Sequence, residues 1–320
     1  MPKANGSAKT LSVRQVLKMF PDDDSVIEWL EKTRWDGKPV CAHCKSGERV
    51  SNPKSKPHTY WCGSCRKNFT VTTGTIFHAT KTPLPNWIYA MYSVMTARKG
   101  VSAMQLSKEL EVQYRTAWYM LHRIREACGD GDDTLAGIIE MDEVFIGGRE
   151  GAKHANKKLR AGRGTVGKTP VMGARQRGGK TVAKPVENAD MKTANEFAVE
   201  TVSEGSTVYT DDSKIYGKLP FAHDSVNHSA NEYVRGDCHT NGMESVWAVF
   251  KRSLHGTWHH VSRSHLHRYV NEATMRLNSG NVRRDTIDRM ESLVRNIDDK
   301  RIRYKDLIAK NGLKQAPRLT

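Results

Sequence analysis

The sequence predicts a multidomain protein in which a cysteine-rich module and a helical module precede an α/β domain. Three observations lead to this fold class. Two Cys-x-x-Cys pairs lie within residues 37–80. Apolar residues recur at helical spacing through residues 83–128, as in amphipathic helices. From residue 137 onward, three apolar runs with strand character, a helix-like segment and a fourth strand follow one another, which is typical of a mixed sheet covered by helices.

The composition points to a nucleic-acid partner. The chain has 320 residues, and its 51 Lys and Arg against 35 Asp and Glu give a formal charge of +16. Such an excess favours binding to a polyanion, most often nucleic acid and less often a membrane surface. No run approaches the roughly 20 apolar residues of a membrane span, and no signal-peptide core is present. We therefore expect a cytoplasmic protein with no membrane partner and with reduced or metal-bound cysteines.

Residues 1–36 are predicted to form two short helices after a polar start. Apolar side chains recur at helical spacing on both sides of Pro21. The run from Asp22 to Ser25 is acidic and ends in a serine, which is a good start signal for the second helix.

Residues 37–80 are predicted to form a zinc ribbon. Seventeen residues separate the two Cys-x-x-Cys turns, and such a linker can bring four thiolates around one tetrahedral Zn²⁺. The alternative, two disulfides, fits poorly with a reducing compartment. Trp61 and Phe69 are expected to cover the site. A closed site of this kind stabilises the fold and does no chemistry; its predicted ligands are Cys41, Cys44, Cys62 and Cys65.

Residues 81–132 are predicted to form a helix-turn-helix that binds DNA. Three helices are expected, and the turn before the last one falls at Glu111 and Val112. An ordinary three-helix bundle with a solvated basic face is the alternative, and the charge excess favours DNA binding. The last helix is expected to present five side chains to DNA: Gln113, Tyr114, Arg115, Arg123 and Arg125.

Gly137–Gly148 is predicted to be a buried strand with Asp142 in its middle. A carboxylate inside an apolar strand costs on the order of several kcal/mol unless a cation or donor meets it. Asp142 is therefore either a structural carboxylate satisfied by a cap or an arginine, or a metal ligand. The strand alone favours the structural alternative.

The segment after this strand is basic and rich in glycine. Residues 149–168 are expected to form an arm that follows a phosphate backbone, or else a solvated surface insertion. Strands at 171–176 and 181–186 and a helix at 191–203 are predicted to follow. The arm's candidate DNA-binding side chains are Lys157, Lys158 and Arg160.

Two later segments bring further carboxylates. The apolar run from Ser206 ends on Asp211 and Asp212, either of which could pair with Asp142. In the predicted helix after His239, Glu244 and Lys251 lie seven residues apart and share one side,. Taken alone, that side would be an exposed salt-bridged face. Three carboxylates beside a polyanion-binding surface instead favour two divalent cations for phosphodiester chemistry.

The ordered motifs resemble those of a known family. The double Cys-x-x-Cys ribbon, EMDEVFIGG, VYTDD, HTNGMESVWAVFKR and HGTWHHVSRSHLHRYVNEATMRLN extend from about residue 13 to 278. This set is similar to bacterial insertion-sequence DDE transposases of the IS-fifteen-ninety-five (ISXO-like) family. The resemblance implies an RNase H-like core over residues 133–280, with a five-stranded mixed sheet. It also implies that residues 281–320, predicted as a C-terminal helix and basic tail, lie outside this core.

The resemblance also implies the roles of individual residues. Asp142, Asp211 and Glu244 would be the catalytic ligands of two Mg²⁺ or Mn²⁺ ions. Lys251, next to Arg252, would be the basic residue that contacts DNA. Asp212 stays open as an alternative second ligand. Some family members carry Asn at the third acidic position, so Asn241 is a distant second choice for the third ligand.

The function that follows is DNA transposition. The protein is expected to bind the terminal inverted repeats of its element, cleave the ends by hydrolysis, and join the 3′-hydroxyls to target DNA. It would act as a dimer or larger assembly in the bacterial cytoplasm, associated with the nucleoid. Two alternatives remain: a zinc-ribbon DNA-binding regulator with structural carboxylates, and an RNase H-like nuclease that never joins strands.

Overall fold

The chain divides into two compact units. The computed structural model describes residues 9–129, 134–148, 154–159, 164–226, 238–279 and 284–309. The first unit combines the N-terminal segment, up to residue 130, with the C-terminal segment from residue 279. The second unit spans residues 131–278 and is one uninterrupted stretch of chain.

The N-terminal segment of the first unit contains a helical group around a small antiparallel sheet. Both predicted capping signals are present: the side chain of Asp22 accepts from the backbone N–H of Ser25 at 2.9 Å, and Ser12 caps the first helix. The strands pair in the order β1-β2-β3. The elements are α1 (Val13–Met19), α2 (Asp23–Trp35), β1 (Val50–Ser51), β2 (Tyr60–Cys62), β3 (Lys67–Phe69), α3 (Leu84–Thr96), α4 (Ala103–Glu109) and α5 (Tyr114–Ala127).

The second unit is built on a five-stranded mixed sheet, as predicted. The strand order is β6-β5-β4-β7-β8. The β6-β5 and β5-β4 pairs are antiparallel, whereas the β4-β7 and β7-β8 pairs are parallel. The elements are β4 (Ile138–Ile146), β5 (Thr169–Gln176), β6 (Thr181–Pro185), α6 (Met191–Thr201), β7 (Thr207–Asp211), β8 (Ala222–Val226), α7 (Asn241–Ser253) and α8 (Leu266–Ser279).

Two hydrophobic layers cover the two faces of this sheet. On one face, Val144 and Val171 pack in a cluster with Trp247 of α7 and Tyr269 of α8. The opposite face packs against α6, and its side chains include Ile139, Met141, Val208 and Phe197. Successive residues of a strand point to opposite faces, so this division assigns every β4 and β7 side chain to one layer.

The C-terminal segment packs within the first unit. It contains α9 (Thr286–Val294) and α10 (Tyr304–Leu307), and α9 contacts α2 and α3. The Tyr119 hydroxyl donates to the carbonyl of Ile302 at 2.6 Å, and Lys45 Nζ lies 2.8 Å from Asp299 Oδ1. The chain therefore returns to its N-terminal unit after completing the sheet domain. No helix in the described ranges is long and apolar enough to cross a membrane.

Candidate metal centres

Asp142 and Asp211 lie on neighbouring parallel strands at matching positions. In the β4-β7 pair, Ile139 is opposite Val208 and Glu140 is opposite Tyr209. Extending this register by two residues places Asp142 beside Asp211, about one strand spacing of roughly 4.8 Å away. The two carboxylates predicted from separate parts of the sequence are therefore neighbours across the sheet.

Both carboxylates point to the face covered by α7. Gly173 of β5 is directly opposite Asp142. A Cβ atom built on Gly173 would lie 2.5 Å from Met243 Cε and 2.6 Å from Trp247 Cζ2, so this position of the sheet faces α7. Asp142 shares that direction, since residues paired across antiparallel strands project to the same side.

Alternation along β7 distinguishes Asp211 from Asp212. Val208 belongs to the α6 layer, so Tyr209 and Asp211 point to the α7 face. Asp212 follows the strand and is exposed, and continued alternation would direct it to the other face. The geometry thus favours Asp211 as the partner of Asp142.

Helix α7 brings a third carboxylate to this face. Glu244 is an exposed residue in the first turn of the helix, and its charge contributes to raising the pKa of Asp142. Asn241, the second choice, is exposed at the first position of the helix. Lys251 and Arg252 are exposed in the last turn, so Lys251 lies two turns from Glu244 on the same side.

The electrostatics of this cluster suit a divalent cation. Burial raises the pKa of Asp142 to about 7, and the charges of Glu143 and Asp211 raise it further. The backbone N–H of Glu143 donates to Asp142 Oδ1 at 2.8 Å and offsets only part of this effect. A bound cation would remove the repulsion, and carboxylate oxygens are the ligands that Mg²⁺ and Mn²⁺ prefer.

Four cysteines form a second candidate centre in the first unit. One sulfur pair, Cys41 and Cys65, and the other pair, Cys44 and Cys62, are each separated by 3.6 Å. A tetrahedral zinc with Zn–S bonds of about 2.3 Å spaces its sulfurs roughly 3.8 Å apart, which matches this arrangement. Within the described ranges, it is the one group of three or more His, Cys, Asp or Glu with ligand atoms all within 4.8 Å of one another. The three carboxylates are more widely spaced.

Aromatic packing supports the cysteine site from one side. Phe69 is buried, stacks on Tyr60 with ring centroids 5.6 Å apart, and contacts the edge of Trp35. Trp61, predicted to cover the site together with Phe69, is instead 38% exposed. Alternation along β2 explains this difference, because Tyr60 and Cys62 take the buried side of the strand.

Comparison with known proteins identifies the second unit. Residues 134–278 match the family model described as an ISXO2-like transposase domain. The chain carries a transposase domain of the ISXO2-like family. It is also 27% identical over 252 residues, which are 74% of this chain and 85% of the other, to an uncharacterized protein in transposable element ISH50 of Halobacterium salinarum. The family prediction is confirmed, and the matched range contains Asp142, Asp211 and Glu244.

The predicted DNA-contacting residues of the first unit fall into two groups. Gln113, Tyr114 and Arg115 are exposed at the start of α5. Arg123 and Arg125 are 3% and 2% exposed, so the prediction that the transposase presents them to DNA is wrong. They lie on the inward side of α5, where a sequence pattern cannot separate a buried arginine from a solvated one.

Arg123 has a structural role instead. Its Nη2 donates to the carbonyl of His78 at 2.8 Å, and its guanidinium lies over the rings of Trp87 and Tyr119. Burial lowers the pKa of Arg123 to about 10. These contacts hold the middle of α5 against the helical core of the unit.

The basic arm of the transposase domain is described only in part. Ala155–Lys157 form a single 3-10 turn, and Lys158 is exposed. The side chain of Lys157 and the whole of Arg160 lie outside the described residues. Their proposed contacts with DNA are therefore carried by the sequence alone.

Two glutamates beside Asp142 escaped the sequence analysis. Glu143 accepts a hydrogen bond from the Tyr216 hydroxyl at 2.6 Å, and burial raises its pKa. Glu140 is 2% exposed and lies on the same face as Asp142,. The motif EMDE contains both of them, so an acidic residue on each side of Asp142 was the available signal.

Proposed function

We propose that this transposase binds the terminal inverted repeats of an insertion sequence, cleaves the element ends by metal-dependent hydrolysis, and joins the resulting 3′-hydroxyls to target DNA. The observation that carries the proposal is the arrangement of Asp142, Asp211 and Glu244. They come from two adjacent strands and one helix of a transposase domain, and they share one face of its sheet.

These three carboxylates would hold two Mg²⁺ or Mn²⁺ ions. When bound, a pair of divalent cations activates one oxygen and stabilises another in an in-line displacement at phosphorus. The protein orients the ligands: the backbone N–H of Glu143 fixes one oxygen of Asp142, and the packing of Trp247 fixes α7 over the sheet. Lys251 and Arg252 would hold the DNA backbone near Glu244 by contacting its phosphates.

The first unit would recognise the element ends. Helix α4, the turn at residues 110–113 and helix α5 are consistent with a helix-turn-helix whose second helix enters the major groove by its N-terminal end. Gln113, Tyr114 and Arg115 are exposed at that end. A structural Zn²⁺ bound by the four cysteines would stabilise the neighbouring ribbon.

We further propose that the protein acts as a homodimer or larger assembly that holds two element ends. Its site of action would be the bacterial cytoplasm, at the nucleoid. The lysines and arginines of the arm at 149–168 would then track the phosphate backbone of bound DNA.

Joining of a labelled element end to a target plasmid tests the reaction. The wild-type protein should give joined product that depends on Mg²⁺ or Mn²⁺. Asp142→Ala should abolish cleavage and joining, by at least about 10³-fold, and should keep its affinity for the terminal repeat. Asp224→Ala is a matched control, because it removes an exposed aspartate of β8.

Two results would favour the rival functions. Full cleavage and joining by Asp142→Ala would make the carboxylates structural, as in a zinc-ribbon regulator with no chemistry of its own in this domain. Cleavage of ends without joining, even from pre-cut substrates that offer a free 3′-hydroxyl, would indicate a nuclease alone.

A further inference from the structure

We propose that Glu140 is a positioning residue that ties the helix carrying Glu244 to the strand carrying Asp142. The inference deepens the proposed function and rests on it. Glu140 lies two residues before Asp142 in β4 and is 2% exposed. Its side chain therefore points to the same α7 face as Asp142, and its contacts lie at the start of α7.

One oxygen of Glu140 caps helix α7 from the sheet. Glu140 Oε2 accepts from the backbone N–H of Gly242 at 2.7 Å and from that of Met243 at 3.1 Å. The residue at the N-cap position, Thr240, makes no side-chain capping bond. The first N–H groups of a helix have no partner within the helix and carry its positive dipole end. A distant carboxylate thus supplies the cap that the local sequence lacks.

Two arginines of the neighbouring strand complete the attachment. Arg177 Nε donates to Glu140 Oε1 at 3.1 Å, and its Nη2 donates to the carbonyl of His239 at 3.2 Å. Arg175 Nη1 donates to the carbonyl of Gly242 at 3.2 Å. The segment that leads into α7 is consequently held to the sheet through both its donors and its acceptors.

Gly242 makes this close approach possible. A Cβ atom at this position would lie 2.5 Å from Glu140 Oε2 and 3.1 Å from its Cδ. Any other residue would push the helix start away from the carboxylate. The glycine in the motif HTNGMES is thereby explained by the passage of a glutamate side chain against the backbone.

The position of Glu244 follows from this clamp. Glu244 comes one residue after Met243, within the same first turn of α7, so its Cα is fixed once the N–H groups of that turn are fixed. Residues that orient metal ligands typically change metal affinity by about 10- to 100-fold when they are substituted. Glu140 would act through Glu244 and would not itself contact the ions.

Mn²⁺ binding separates positioning from general stability. The measurement uses electron paramagnetic resonance on the full-length, zinc-loaded protein bound to a cleaved element end, with the Asp142→Ala complex as background. Glu140→Gln keeps the size of the side chain and removes its charge, so we expect Mn²⁺ affinity to fall by at least about tenfold. Gly242→Ala should give a similar fall from the opposite side of the contact.

Glu272→Gln is the matched control. Glu272 is a fully buried glutamate of α8 whose Oε1 accepts from Arg276 Nη1 at 2.6 Å. Its substitution removes a comparable buried charge pair without touching α7's first turn. Thermal unfolding of each variant measures the stability loss, and we expect Mn²⁺ affinity to remain within twofold of the wild-type value in Glu272→Gln.

Each outcome decides between the possibilities. A fall in Mn²⁺ affinity in Glu140→Gln and Gly242→Ala, but not in Glu272→Gln, supports the inference. Unchanged affinity in Glu140→Gln, or an equal fall in Glu272→Gln at similar stability loss, overturns it and leaves the proposed function intact. Wild-type binding no greater than the Asp142→Ala background overturns both.

Discussion

The two candidate metal centres differ in how their ligands are brought together. The four cysteines come from two short turns, and their sulfurs lie at metal-binding spacing. The three carboxylates come from β4, β7 and α7, across about a hundred residues of chain. They share a face but are more widely spaced. The first arrangement is a closed site that staples a fold, and the second is an open site suited to chemistry.

The chemistry of the ligands explains this contrast. Neutral thiols can pack together with little electrostatic cost, whereas charged carboxylates repel one another. At the sheet, burial and neighbouring acidic groups raise the pKa of Asp142 to about 7. The fold therefore bears a cost in holding the carboxylates together, and binding of cations would recover it.

The largest expected effect comes from breaking the cysteine site. Cys62→Ser removes a buried ligand, and structural zinc contributes on the order of 10 kcal/mol to folding in small zinc modules. We expect loss of bound zinc, unfolding of the ribbon, and loss of terminal-repeat binding. Zinc analysis and circular dichroism measure the change. Cys128→Ser, outside the four-cysteine group, is the control, and retention of zinc by Cys62→Ser would contradict the assignment.

The next effect distinguishes the two adjacent aspartates of the open site. Asp211→Asn should reduce element-end cleavage by about 10³-fold, since it removes a ligand that shares a face with Asp142. Asp212→Asn should stay within a few-fold of wild type, because Asp212 is exposed beyond the strand end. A single-turnover cleavage assay compares them. Equal loss in both variants would show that the strand register does not select the ligand.

The comparison also predicts opposite signs for stability. Asp142→Asn should stabilise the metal-free second unit by on the order of 1–3 kcal/mol while abolishing cleavage, because it removes a buried, repelled charge. The folded pKa of about 7 lies above the ordinary value. Metal-free wild-type protein should therefore lose stability as pH rises from about 4 to about 7, whereas the variant should not. Urea unfolding at several pH values tests this.

The absence of a stability gain in Asp142→Asn would mean that the carboxylates are relieved without a cation. Mn²⁺ should stabilise the wild-type protein above pH 7 and leave the variant unchanged. Asp224→Asn, at an exposed position of β8, controls for a change in net charge alone.

The smallest effect concerns the surface of the first unit. Arg115→Ala should weaken terminal-repeat binding by about 1 kcal/mol and leave thermal stability unchanged, since the side chain is exposed,. Arg123→Ala should instead lower stability by about 2–3 kcal/mol, because it removes a buried donor and two aromatic contacts,. Gel-shift titration and thermal unfolding measure the pair. The reverse pattern would contradict the assignment of the two residues.

Local patterns were enough to predict much of the fold. The β4 strand was evident from its apolar run, α2 from its acidic cap, and the cysteine site from two short spacings. Strand β8 was missed because Ala222–Val226 is a largely exposed edge strand with little apolar content. An edge strand pairs on one side only, so its sequence carries a weaker signal.

The remaining failures concern contacts between distant residues. Nothing local shows that Glu140 reaches Gly242, because that contact depends on how α7 lies on the sheet. The same holds for Arg123, which a helical pattern placed on a basic surface. Asp142 was found because its charge contradicted its strand, whereas Glu140 was not singled out although it shares the same motif.

The return of the chain to its first unit has a consequence for how such proteins can change. The first unit is completed by residues on both sides of the second, so the catalytic segment enters and leaves it through two peptide connections. A recombination event at those connections could replace the whole sheet domain in frame while preserving both ends of the gene. The architecture would let recognition and chemistry be inherited separately.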